Sequence, residues 1–139
     1  MGETKKARLR IVSEMTDPEG AQETIRNART GTLSEDGGAL VLEYDDEQSG
    51  ERAHILLTAL PGEARMERRG MTRATLRFVP GERTSGAYMT LYGEIPVQID
   101  TQSVRLTRAE GGGELELRYD VYAGGDLTAH THLTVTWRT

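Results

Sequence analysis

The stretch ELELRYDVY places Leu115, Leu117, Tyr119 and Val121 on one parity, and Glu114, Glu116, Arg118 and Asp120 on the other. A period of two is the mark of a strand whose alternate side chains face opposite sides of a sheet. The alternation recurs in ARLRIVSEM, where Leu9 and Ile11 alternate with Arg8 and Arg10, and in ALVLEY, where Leu40, Leu42 and Tyr44 share a face. Between such runs lie TDPEG, EDGG, EQSG, LPGE, RRGM, VPGERTSG, EGGG and AGGD. Each holds residues that permit positive φ, preset φ or hydrogen-bond a turning backbone. Half-buried strands joined by short turns pair in sequence order, which predicts an antiparallel meander. EGAQETIRNARTG opens and closes as a helix would. It carries too few apolar residues to bury a helical face, and is read as a second strand.

About eight to ten strands in so short a chain must dispose of two open edges, and closure into an up-and-down barrel does so most completely. A two-sheet sandwich is the alternative. With no cysteine and a single Trp, an immunoglobulin-type core built on a disulfide is unsupported. The expectation is an all-β chain forming one antiparallel barrel domain over residues 1–139, a length that suits a single core.

Composition narrows the partners. The hydrophobic share of 36% and charged share of 28% are those of an ordinary folded domain. The absence of cysteine excludes thiolate metal sites and a cysteine nucleophile and gives no sign of an oxidising compartment. MGETKKARLRIV lacks the apolar core of a signal peptide and no run is long enough for a membrane helix, so a cytoplasmic location is expected. A net charge of −5 argues against nucleic acid and anionic membrane as partners. EARMERRGMTRATLRFVPGER runs the other way, gathering six arginines from Arg65 to Arg83 among Glu63, Glu67 and Glu82. Cross-strand Arg/Glu pairs on a solvated face and a polyanion site both fit that band. Monomer and homodimer are both open.

In FVPGERTSGAYMTLYGEIPV, Tyr88, Thr90 and Tyr92 share one parity, whereas beyond Gly93 the apolar Ile95, Val97 and Ile99 fall on the other. A β-bulge at Gly93-Glu94 would reconcile the two, bending the strand and keeping both sets inside. The competing reading keeps one phase, with Met89, Leu91, Ile95 and Val97 inside and the tyrosines outside.

These residues carry a resemblance. LRFVPGERTSGAYMTLYGEIPV, with Arg77, Phe78, Gly81, Thr84, Tyr88, Tyr92 and Gly93, resembles the central motif of the YwiB-like family of small bacterial proteins. LELRYDV followed by glycines, and the final LTVTW, are similar in order and spacing, so the resemblance spans almost the whole chain. It implies a calycin-like antiparallel barrel, similar in shape to lipocalins, and a domain of unknown function with no established activity. Thr90 departs from the family pattern, which has a larger apolar residue such as Met there, and the last strand is richer in histidine; both departures bear on the interior.

A small barrel is filled by side chains or holds one small ligand. With the bulged phase, Tyr44, Tyr88, Thr90, Tyr92 and Tyr119 point inwards and give an apolar lining with a few hydroxyls. A packed barrel whose phenols bond to one another or to backbone fits equally. Arg69 and Arg77 are the candidate anion anchors, since a guanidinium holds a carboxylate or phosphate at two points. The alternative for Arg77 is an outer-face salt bridge to Glu94 or Glu67. AHTHL puts His130 and His132 on one strand face, a spacing that chelates a metal only with a third ligand, for which His54 and Glu43 are the candidates. No motif calls for a cofactor, and no nucleophile elbow, phosphate loop or zinc-protease helix occurs. The leading expectation is a non-enzymatic barrel binding a small, partly apolar, anionic ligand at a tyrosine-lined mouth. The second is a filled barrel acting through its arginine band, including Arg68 and Arg73, or through an unclosed strand edge. The third is an acid/base enzyme with a barrel site.

Overall fold

The computed structural model describes residues 4–48 and 50–139. It consists of ten antiparallel strands: β1 (Lys5–Thr16), β2 (Gln22–Asp36), β3 (Ala39–Gln48), β4 (Glu51–Leu60), β5 (Glu63–Gly70), β6 (Arg73–Phe78), β7 (Arg83–Thr90), β8 (Gly93–Ala109), β9 (Gly112–Ala123) and β10 (Asp126–Arg138). Each strand pairs with its neighbours in sequence, and β1 pairs with β10, so the barrel is closed. Closure removes the open edge on which the interaction reading partly relied. The segment that resembled a helix at its ends is indeed β2, paired along its length with β1. No helix among the described residues is long and apolar enough to cross a membrane.

Because a meander turns back at every loop, the connections after β1, β3, β5, β7 and β9 gather at one rim, here the upper, and the others at the lower rim. The lower half is solidly filled: Leu40, Ala59, Ala64, Phe78, Leu115, Val135 and Trp137 are all buried there. Truncation of a side chain such as Phe78 in so dense a core costs about 3–5 kcal/mol. The upper half, towards the other rim, is lined differently and holds the site described below.

The segment around Gly93 corrects the sequence reading. It is not one interrupted strand. Thr90 pairs with Gly93 across a two-residue turn, Leu91-Tyr92, and Gly93 takes φ +123°, a conformation that side-chain-bearing residues rarely adopt. Tyr88 then faces Ile95, Gly86 faces Val97 and Thr84 faces Ile99. Even positions in β7 meet odd positions in β8 on the same face, so the change of parity follows from the hairpin and needs no bulge. The bulge exists, but later in the strand: the register shifts between Thr101 and Ser103, leaving Gln102 as the extra residue. Val97, Ile99 and Thr101 are buried before it, and Val104 packs against the core after it. A second shift between Leu127 and Ala129 does the same for β10.

Candidate functional site

Directly paired residues of adjacent strands share a face, and one row of pairs runs across six strands at the upper half of the barrel. Tyr44 pairs with Ile55, Ile55 with Arg68, Arg68 with Ala74, Ala74 with Tyr88, and Tyr88 with Ile95. Tyr44, Ile55 and Ala74 are buried, which fixes the row as inward-facing. Arg68 therefore points into the barrel, with a tyrosine two strands away on either side, roughly 10 Å along the hydrogen-bonding direction. Its flanking partners Ile55 and Ala74 offer no polar group.

A second inward group approaches from β2 and β3. Arg29 pairs with the buried Leu9 in the register of β1 and β2, and its Nη2 lies 3.2 Å from Asp46 Oδ1. Both side chains are largely withdrawn from solvent, at 26% and 14% exposure. Close packing at Gly31 makes this possible: a Cβ there would lie 2.1 Å from the Glu43 carbonyl oxygen and 3.0 Å from the Tyr44 Cβ. Any larger residue would push Tyr44 from its seat.

The opposite wall carries Tyr119, paired with Thr101 on β8 and Thr131 on β10. Its ring lies 4.6 Å from that of Phe78, centroid to centroid, tilted by 50°. Thr101 Oγ1 is buried with no hydrogen-bond partner among the described residues. Burial pushes the Tyr119 phenol far above its ordinary range; the nearby Tyr88 and Tyr44 add to this, while hydrogen bonding from Thr131 opposes it. Burial likewise pushes Tyr44 up to about 12, Asp46 in the same direction and Arg29 and Arg68 against it. Burial raises Tyr88 too, again opposed by Arg68. All three phenols are thus neutral donors at physiological pH.

The structure brings together Tyr44, Tyr88 and Tyr119 of the seven residues proposed from sequence. It disperses the other four. Tyr92 sits at the hairpin tip and is 99% exposed. The Thr90 hydroxyl closes that turn, donating to the Gly93 carbonyl at 2.9 Å and accepting from the Tyr92 N–H at 3.1 Å. Arg69 and Arg77 lie on the outer face. Arg69 Nη2 meets Glu67 at 2.9 Å, and Arg77 Nε meets Glu63, not Glu94 or Glu67, at 2.9 Å. That bond holds the Glu63 carboxyl below its usual range. Parity explains the change of arginine: in β5 the even positions Ala64, Met66 and Arg68 face the core, so the inward cation is the immediate neighbour of the one chosen. Arg29 went unnoticed because β2 is sparsely apolar, although Ile25 and Leu33 share its parity.

Outside the barrel, the arginine band resolves into local ion pairs. Glu63 serves both Arg65 and Arg77, and Arg83 forms two 2.7 Å bonds to Asp100 while stacking over Tyr122. Arg68 and Arg73 sit on opposite parities, so Arg68 pairs into the inward row while Arg73 pairs with Met89 on the other face. His130 Nδ1 lies 2.5 Å from Asp120 and His132 Nε2 lies 3.1 Å from Glu116, an ion-pair distance off the line of a hydrogen bond. His54 contacts Asp45 at 2.9 Å and Glu43 at 3.2 Å. Since β3 and β4 are remote from β10 in the strand order, neither His54 nor Glu43 joins the other histidines, and no metal-holding group of three forms among the described residues. Tyr119 and Asp120, like Tyr44 and Glu43, face opposite sides, as strand neighbours must.

Beside the inward row, the upper rim over β5–β8 is apolar and exposed: Met71, Met89, Leu91 and Ile95 all show large accessible surfaces. A hollow of about 360 Å³ lies on the wall here, lined mainly by the outward-parity Glu67, Arg69, Arg73, Thr75, Ala87 and Met89, with Arg68 and Ala74 at its margin.

Comparison with known proteins yields a family and a fold. The family described as "Domain of unknown function (DUF1934)" matches residues 9–135. The crystal structure of the ywiB protein from Bacillus subtilis superposes with a TM-score of 0.89 at 24% identity, covering 99% of this chain and 94% of that one. No curated protein matches the chain.

Proposed function

Because the chain belongs to the DUF1934 family, a domain of unknown function that carries no activity with it, we propose a role from the barrel itself: binding a small, partly apolar, anionic ligand in its upper half. The observation that carries this reading is Arg68. It faces inward between Ile55 and Ala74, and no carboxylate among the described residues lies within ion-pair distance of it. A half-buried guanidinium without a partner is costly unless something meets its donors. The neutral phenols of Tyr44 and Tyr88 flank it, the Thr101 hydroxyl across the barrel lacks a partner among the described residues, and the apolar rim supports entry of a ligand with an apolar part.

The test is native mass spectrometry of the protein purified gently from its own host, set against the denatured mass. An extra mass is expected in the wild type and is expected to be lost in Arg68→Ala, since a charge-assisted hydrogen bond contributes about 1.5–3 kcal/mol, or tenfold and more in affinity. A clean apo mass for the wild type, or an adduct that survives Arg68→Ala, overturns the assignment and turns attention to the outer surface of a filled barrel.

A further inference from the structure

From the inward-facing charges we infer that the ligand is an organic anion carrying one negative charge, seated on Arg68. The inference rests on the binding reading above and names the class of molecule that site accepts. Below the rim, the ionisable groups in the inward phase of the upper half are Arg29, Asp46, Arg68 and the three phenols. Arg29 and Asp46 neutralise one another at 3.2 Å, and the phenols are uncharged. One cation is left. Glu23, Glu51 and Asp126 share the inward phase but stand at the rim; Glu23 and Asp126 are exposed, and Glu51 accepts the Thr72 N–H at 2.9 Å.

A single guanidinium in a largely apolar setting discriminates by charge number. A neutral ligand leaves it unpaired, a cation is repelled, and a dianion brings a second charge that must be desolvated with no counter-ion. One carboxylate or sulfonate satisfies it, and Tyr44 and Tyr88 can donate to the same anionic oxygens. The rest of the row, Ile55, Ala74 and Ile95, requires an apolar body attached to that head.

The experiment uses anilinonaphthalene sulfonate, a singly charged aromatic anion, as the fluorescent probe. It is displaced by four eight-carbon compounds differing in head group: octanoate, octyl phosphate above its second pKa, octanol and octylamine; acetate reports on the head alone. Octanoate is expected to displace the dye about tenfold or more tightly than octanol, octylamine or acetate, and more tightly than octyl phosphate. Arg68→Gln is expected to erase the preference of octanoate over octanol. Asp46→Asn, which frees Arg29, is expected to shift preference towards octyl phosphate. Equal displacement by all head groups, or a preference unmoved by both substitutions in folded protein, leaves the binding site standing and overturns the charge assignment. If acetate matches octanoate, the apolar body is overturned. Should neither the dye nor any of the compounds bind, the site itself falls and the inference with it.

Discussion

Thr101 shows how much a single side chain can say. The residue is 4% exposed, pairs with Tyr119, and its hydroxyl finds no partner among the described residues. A buried hydroxyl without a hydrogen bond costs about 1–3 kcal/mol, and valine has the same shape and suits a strand. Thr101→Val is therefore expected to raise the stability of the ligand-free protein by about 1 kcal/mol, read as a higher urea midpoint with an unchanged slope. A lower midpoint would mean that the hydroxyl has a partner in solution. At this scale the sequence was readable where parity was strict: Tyr44 and Tyr119 lie in clean alternations and are inside. It was misleading where chemistry was weighed ahead of parity, since Arg69 and Arg77 are good anion binders by type but their positions face solvent. Arg68, one residue from the first, had the parity of Ala64 and Met66 all along.

Among the elements, β8 carries the most information. Its two halves bury opposite parities, and Gln102 is the residue that permits both. Deleting Gln102 removes only the extra residue: Thr101 still faces Tyr119 and Ser103 still faces Arg118, so Val104 and Leu106 stay inward and the local bend alone is lost. The deletion is expected to keep cooperative unfolding in circular dichroism at a lowered urea midpoint, and Gln102→Ala, which loses exposed bonds of 3.2 Å to Asp120 and 3.3 Å to the Asp100 carbonyl, is expected to change stability by less than about 1 kcal/mol. A deletion variant with no cooperative transition would show that the bend at the bulge, and not only the inward phase of the strand, is required for the fold. The phase slip is visible in the sequence, where a glycine inside an apolar run is a usual bulge signal and points to Gly93. A two-residue hairpin produces the same change of parity, and Leu91-Tyr92 lacks the Asn or Gly by which such turns announce themselves. The true bulge lies in DTQSV, where no glycine marks it.

For the barrel as a whole, closure rested in part on the family resemblance, while the antiparallel barrel class and the turn punctuation were readable from the sequence, because short alternating segments in sequence order leave few other solutions. The division of the interior into a filled lower half and a polar upper half was not, since it depends on which strands face each other across the core. That division sets how the whole molecule responds to alkali. Tyr44 and Tyr119 hold their protons above the ordinary tyrosine value of about 10 because burial disfavours the phenolate. Above that pH the unfolded chain gives up protons that the folded barrel keeps, so the unfolded state is favoured progressively. The sign is fixed: their contribution is fully present below about pH 10 and is lost as pH rises towards the folded values. The expected result is a urea midpoint that falls steeply beyond about pH 10 in the wild type, and less steeply in Tyr44→Phe/Tyr119→Phe, which has no phenol to ionise at either position. Two parallel curves would mean that these phenols ionise in the fold as freely as in the unfolded chain, and the upper half would then be open to water rather than a low-dielectric chamber in which one arginine can select one anion.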